Sequence, residues 1–232
     1  GSITLRDNRI EGNVVGVSLG YGWGGGVAFI DAKATMRGNV VTKNRATTSG
    51  SGVFVDDGSD ASLENELYVA NVCGDSGSAL FVDGLNASQT SSATLLNVTI
   101  ADHKCSGGVG HAVLVDNATV TVRNAIFWNN GGGEVHVGNG SLQATYTNSQ
   151  KKLPGAGNIS VNPGFAGSGD AAYRLRSSVG RWDGSKWVKD ASSSPCLDVG
   201  DSSTGVGSEP TPNGGRANLG AFGRTPTASK SN

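Results

Sequence analysis

The stretch "GSGVFVDDGSDASLEN" (Gly50–Asn65) holds a short β-branched strand, a turn of Asp, Gly and Ser, a second alternating strand and a closing asparagine. Valine and phenylalanine favour extended backbone, and Asp-Asp-Gly-Ser-Asp is turn chemistry. The same order recurs along the chain. Glycine-led strands stand at "GGVAFIDA" (25–32), "GSALFVDG" (77–84), "GHAVLVDN" (110–117) and "GGEVHVGN" (132–139). Each leads into a second strand: "ATMRGN", "ATLLN", "TVTVRN" and "LQATYTN", ending at Asn39, Asn97, Asn124 and Asn148, as "ASLEN" ends at Asn65. The opening "ITLRDN" closes the same way at Asn8.

A third short apolar segment follows, carrying Val40, Leu67, Val98 or Ile126. It leads to a second polar position, giving the pairs Asn8/Asn13, Asn39/Asn44, Asn65/Asn71, Asn97/Asp102 and Asn124/Asn129. The period is irregular, roughly 22 to 33 residues, because turns vary while strands do not. Three short strands per repeat describe an all-β, right-handed parallel β-helix, its coils about 4.8 Å apart with like residues above like. Stacked asparagines then pass amide hydrogen bonds from coil to coil, and both asparagine series read as structural ladders. The N-x-[ST] sequons at Asn86, Asn97, Asn117, Asn139 and Asn158 are mostly incidental on this reading, Asn97 being held in a ladder.

Composition agrees and excludes alternatives. Of 232 residues, 37 are glycine, and aromatic and charged residues make up 6% and 16%. Turn formers and β-branched residues outweigh helix formers, which excludes a helical bundle. Basic and acidic side chains number 18 and 19. That balance gives no general attraction to nucleic acid or acidic membranes. No apolar run approaches the roughly 20 residues a membrane span needs. The first residues already read as strand, with no signal peptide, as expected of a mature piece of a longer chain. Three cysteines without metal-ligand spacing argue against zinc. Cys73 and Cys105 follow the second polar position in adjacent coils, close enough for a disulfide, which leaves Cys196 free. The alternative is two reduced thiols that simply pack.

These repeats resemble the right-handed β-helix repeat proteins related to the pectate-lyase fold. The likeness continues in "NPGFAGSGDAAYRLRSSVGRWDGSKWVKDASSSPCLDVGD" and "NGGRANLGAFGRT", similar to tails that close secreted bacterial β-helices. It implies coils over 1–150 and a closing tail over 151–232. In that tail "RWDGSKW" reads as a hairpin at Asp183-Gly184 whose Trp182 and Trp187 cover the end of the helix or, alternatively, stack on a sugar, and Asp198 and Asp201 bond to backbone, with calcium as their alternative.

Catalytic sets are poorly represented. Lys43, Arg45, His103, Lys104 and His111 form no recurring column for a lyase base. Glu134 and His136 share a strand, weak support for acid–base work. The strand-end aspartates Asp31, Asp56, Asp83 and Asp116 form a column that reads as turn chemistry or as a ligand site. "DDGSD" (56–60) offers oxygen ligands to calcium without a full EF-hand pattern. A face suited to stacking is the stronger signal. With Val53, Leu80 and Val113 inward, Phe29, Phe54, Phe81, Leu114 and His136 point outward as one stripe. Such a stripe either meets a ligand or lies under the tail. Tyr21 and Trp23, among glycines at its N-terminal end, extend it as a platform for sugar rings, the alternative for Trp23 being a ring folded down as a lid on the first coil.

The chain also resembles the β-helical xylan-binding modules (carbohydrate-binding module family 89). That resemblance implies a non-catalytic, monomeric and secreted bacterial module, covalently attached to a glycoside hydrolase. It would bind neutral or lightly substituted xylan, with no basic groove for uronates. No resident cofactor is expected, calcium being the one alternative. A catalytic β-helix lyase or glycosidase and a surface adhesin module are the rival functions.

Overall fold

The computed structural model describes residues 1–16, 20–74, 77–107, 110–167 and 169–232. The chain winds as a parallel β-helix, and each coil adds one strand to each of several parallel sheets. Sheet I holds the glycine-led strands Val27–Ile30, Val53–Asp56, Gly77–Asp83, Gly110–Asp116 and Gly133–Val137. Sheet II stacks Ser2–Arg6, Lys33–Arg37, Asp60–Glu64, Ser91–Leu96, Ala118–Arg123 and Gly140–Thr145. Sheet III stacks Arg9–Glu11, Val40–Thr42, Leu67–Val69, Thr99–Ala101, Ile126–Trp128 and Asn148–Ser149. The sequence announces three strands per coil. A fourth, two residues long, adds sheet IV: Val14–Val15, Arg45–Ala46, Val72–Cys73 and Lys104–Cys105. At that length, alternation leaves no readable pattern.

The interior is built from columns of like residues. Met36, Leu63, Leu95 and Val122 stack in register along sheet II, all without solvent exposure. Val41, Tyr68, Ile100 and Phe127 do the same along sheet III. Val53, Leu80 and Val113 face inward as the pattern requires. Each position therefore contacts its own kind above and below, and the columns close into a single apolar core.

The two polar series divide differently from the sequence reading. In the first, Asn39 Oδ1 accepts from Asn8, and Glu66 Oε1 accepts from the backbone N–H and the amide of Asn39. Asn65, Asn97 and Asn124 stand one residue earlier, with φ of 55°, 53° and 55°, at the left-handed corner that Asp7 and Gly38 occupy in the first coils. Asparagine tolerates that conformation better than most residues. Their side chains turn outward: Asn65 donates to the carbonyls of Ala221 and Gly223, and Asn97 to those of Asn218 and Gly220. Asn97 is fully buried by those contacts. The second ladder runs Asn13, Asn44, Asn71, with Asn44 Oδ1 accepting from Asn13 and Asn71 Oδ1 from Asn44. It continues through His103 and Asn130; Asp102 and Asn129 hold the left-handed corner before it, at φ 56° and 59°.

Beyond residue 150, coil-like bonding continues as far as Asn158–Val161, where Ile159 pairs with Asn148. The remainder carries two small antiparallel pairs, Phe165–Ala166 with Arg174–Leu175 and Arg181–Trp182 with Trp187–Val188. This segment packs on the outer side of sheet III. Ala221 and Phe222 meet Leu67, Val69 and Ala101, and Leu175, Leu197 and Leu219 meet Ile126. Asp198 and Asp201 accept from the backbone N–H groups of Gly214 and Ser203, as the sequence suggests. Among the described residues, no helix is long and apolar enough to cross a membrane.

Candidate functional site

The outer face of sheet I is set by strand register. Val27 pairs with Val53 and Ala28 with Phe54, so Phe29 pairs with Val55 and Ile30 with Asp56. The first coil is therefore displaced by one residue from the sequence alignment, which matched its Phe and Asp to those of the next coils. A one-residue slip reverses the face of every side chain. Phe29 consequently lies inside, 2% exposed within the core, and does not belong to the outer stripe. Asp31 leaves the strand-end column for the same reason. It occupies a left-handed turn position at φ 47°, while Ile30, 56% exposed, takes its place on the face.

The remaining outer row is Ala28, Phe54, Phe81, Leu114 and His136. Phe54 and Phe81 pack with ring centroids 5.3 Å apart and planes tilted by 37°, and both are nearly covered. The tail lies on sheet III, so it is not their cover. Instead Trp23 stacks over Phe54 at 6.3 Å, and Tyr21 stacks on Trp23 at 6.3 Å with planes 12° apart. Tyr21 is 71% and Trp23 42% exposed, so the aromatic series buries its inner end and offers its outer end to solvent. Backbone bonding fixes this ledge. Trp23 bridges Ser49 of the next coil, Thr48 N–H donates to the Gly22 carbonyl, and Gly22 N–H donates to Thr48 Oγ1. Gly22 is required by close approach, since a Cβ there would stand 2.7 Å from the Val15 carbonyl oxygen. The glycines around Trp23 let the turn fold tightly enough to lay the ring on Phe54.

Two residues further along the strands, on the same face, stand Asp56, Asp83 and Asp116. Each uses Oδ1 to accept the following backbone N–H, at 2.7, 2.9 and 3.1 Å, which is the turn role. Asp116 Oδ1 also accepts from Asn139 N–H at 2.8 Å. Their Oδ2 atoms make none of these bonds. Partial burial, with Asp56 and Asp116 on either side, pushes Asp83 up to about 6. Burial raises Asp56 as well. At the far end His136 is exposed and stacks on His111 at 5.3 Å. Glu134 does not pair with His136: it is buried, accepts from the Asn130 amide at 2.7 Å, and is pushed up to about 7 by that burial.

Two further surfaces have chemistry. A cleft of about 380 Å³ opens between the first coils and the tail, lined among others by Arg6, Arg37, Asn65, Phe222 and Arg224. Glu64 pairs with Arg224 at 3.1 Å and lies 3.8 Å from Arg37; Arg224 Nε is buried and has no partner among the described residues. These arginines are far apart in sequence, and the expectation of no basic groove overlooked them. In the tail, the Asp183-Gly184 hairpin sets Trp182 edge-to-face on Trp187, ring centroids 5.6 Å apart, with Lys230 Nζ 4.6 Å above Trp187.

The lyase-base candidates are not brought together as a set. His103 is fully buried, whereas Lys43 is exposed and bonded to Glu11. Cys73 and Cys105 pair directly across sheet IV with Cα atoms 4.4 Å apart, joined as a disulfide, and Cys196 is free and buried.

Stacked parallel strands, inward apolar columns and polar ladders define a parallel β-helix repeat protein. A family model described as disaggregatase related matches residues 44–200, more than half of the chain, and the chain belongs to that family. No curated protein and no solved structure matched it.

Proposed function

We propose that the chain is a non-catalytic binding module for polysaccharide, with the Tyr21–Trp23 ledge as its contact surface. The observation that carries this is the exposed pair Tyr21/Trp23, stacked with nearly parallel planes and anchored on Phe54. A preorganised aromatic surface binds without first ordering its own side chains. Pyranose rings lay their C–H faces on such rings, whose π-face carries partial negative charge. Along the same face, the Oδ2 atoms of Asp56, Asp83 and Asp116 repeat once per coil and would accept from sugar hydroxyls. His136 would bound the surface at its far end.

The resemblance to xylan-binding modules makes xylan the first ligand to try, and by the same resemblance the module would serve a secreted, catalytically active partner domain. A second reading, an anionic glycan, is favoured specifically by the Arg6/Arg37/Arg224 cleft. Affinity electrophoresis against arabinoxylan, β-glucan, mannan and pectin separates the readings. Retardation by a neutral glycan, weakened at least tenfold in Trp23→Ala with an unchanged thermal melt, is the expected result. Retardation by pectin alone, lost in Arg37→Ala, would move the site to the cleft. No retardation by any glycan would refute the binding-module reading.

A further inference from the structure

The second polar ladder contains one residue of different chemistry. Asn13, Asn44, Asn71 and Asn130 occupy its other rungs, and His103 stands between the last two. Imidazole does not reproduce the amide's pattern of donors and acceptors, so the backbone N–H of His103 keeps its bond to Asn130 Oδ1 while its side chain leaves the amide series. The ring is instead aimed at the cysteine pair. His103 Nε2 lies 3.5 Å from Cys73 Sγ and 3.6 Å from Cys105 Sγ, and its Nδ1 faces Ser51 Oγ at 3.3 Å. The three donor atoms lie within 4.8 Å of one another. Room around the sulfurs is kept by stacked glycines. A Cβ on Gly77 would meet Cys73 Sγ at 3.1 Å, and one on Gly110 would meet Cys105 Sγ at 2.8 Å.

Those separations have a chemical meaning. With Zn–S of about 2.3 Å and Zn–N of about 2.0 Å, a tetrahedral ion sets its sulfur and nitrogen ligands roughly 3.6 Å apart. Both sulfur–nitrogen edges already have that length. The sulfur–sulfur edge must open from a covalent bond to roughly 3.8 Å. Ser51 holds the far ring nitrogen, the part an outer partner plays for metal-bound histidines.

We propose that Cys73, Cys105 and His103 form a two-state site, a disulfide when oxidised and a Zn²⁺ site when reduced. An external dithiol supplies the change: it gives its two hydrogens to the cysteine sulfurs and becomes a disulfide itself. On metal binding each thiol releases its proton to solvent, and two thiolates with one neutral imidazole hold the ion. Cys73 and His103 are buried, and the partly exposed Cys105 is the sulfur open to the reductant. Among the described residues these are the three donors, which leaves the fourth vertex to water or an exogenous ligand.

The test uses the whole chain, reduced without oxygen by a phosphine, which takes oxygen from water to become its oxide, and then desalted. Co²⁺ is titrated as a probe. The expected result is one equivalent bound, with sulfur-to-cobalt charge transfer and the intense visible bands of tetrahedral coordination, displaced by Zn²⁺. The unreduced chain should give neither. His103→Ala should weaken binding at least tenfold, Cys105→Ser should abolish the charge-transfer signal, and Cys196→Ser should leave both unchanged. A reduced wild-type chain showing only the weak spectrum of octahedral cobalt would overturn the proposal. Where a variant does not fold, alkylation of the reduced wild-type chain decides. Zn²⁺ should slow modification of Cys73 and Cys105 at least tenfold, and equal rates with and without Zn²⁺ would overturn the site.

Discussion

Glu66 offers a quantitative test of the ladder. It is fully buried at a position where the two preceding coils carry asparagine, and Oε1 accepts two N–H groups from Asn39, at 3.1 and 2.9 Å. Among the described residues, Oε2 has no partner within ordinary hydrogen-bond geometry, the buried Tyr68 being the neighbouring polar group. Burial outweighs those bonds and pushes the carboxyl from 4.5 up to about 8. The folded chain therefore keeps this proton at neutral pH, while the unfolded chain releases it. A folded-state value above the unfolded one contributes stability that is fully present below pH 4.5 and lost as pH rises to about 8. Each tenfold change in proton affinity is worth about 1.4 kcal/mol, so the full loss is on the order of 5 kcal/mol. Glu66→Gln keeps the shape and the acceptor but removes the titration. Any fixed cost of its buried amide is the same at every pH. Urea unfolding of both chains at half-unit steps between pH 4.5 and 8 is the assay. The expected difference moves progressively in favour of the variant, by several kcal/mol across the interval. A difference constant with pH would refute the buried, neutral carboxylic acid.

Asn71→Ala removes an acceptor for two N–H groups of Asn44 and a donor to the Val41 carbonyl, all in the buried ladder. With each buried unpaired group costing about 1–3 kcal/mol, chemical denaturation should show a loss of at least 3 kcal/mol, far more than Asn13→Ala at the exposed first coil. Reducing Cys73–Cys105, which closes a separation of 32 residues, should cost about 3–4 kcal/mol and lower the thermal midpoint in metal-free buffer. For Asp83, raised from 3.8 to about 6 by burial and its aspartate neighbours, the linked stability is lost as pH climbs through that range. Asp83→Asn should therefore raise the melting temperature at pH 7 and leave it unchanged at pH 3.5.

The fold was legible because each coil repeats the same apolar positions. Val53, Leu80 and Val113 face inward as alternation requires, and their register follows from aligning the glycine-led strands. What failed was register to a single residue. The first coil has Ala28 where the next two coils have phenylalanine, so matching Phe29 to Phe54 displaced the coil by one and brought Asp31 with it. Gly26 and Gly52, followed by Val27 and Val53, carried the correct alignment. The asparagine series failed in the same way. Asn39 is a ladder residue and Asn65 a left-handed corner residue, one position apart, and the two roles share an amino acid. Glu66 and His103 were invisible as ladder members because they are not asparagine. Sequence could not foresee that Trp23, rather than the tail, stacks over Phe54 in the stripe. Neither could it foresee the arginine cleft, whose residues come from positions 6, 37 and 224.

A sugar-binding ledge at Tyr21 and Trp23 can be followed through the indole N–H signals of the four tryptophans in solution NMR during titration with a soluble glycan retained in electrophoresis. Trp23 should shift progressively and saturably, while the signals of Trp128, Trp182 and Trp187 stay in place. Saturable binding that moves Trp182 and Trp187 and leaves Trp23 untouched would contradict the account and assign recognition to the tail hairpin.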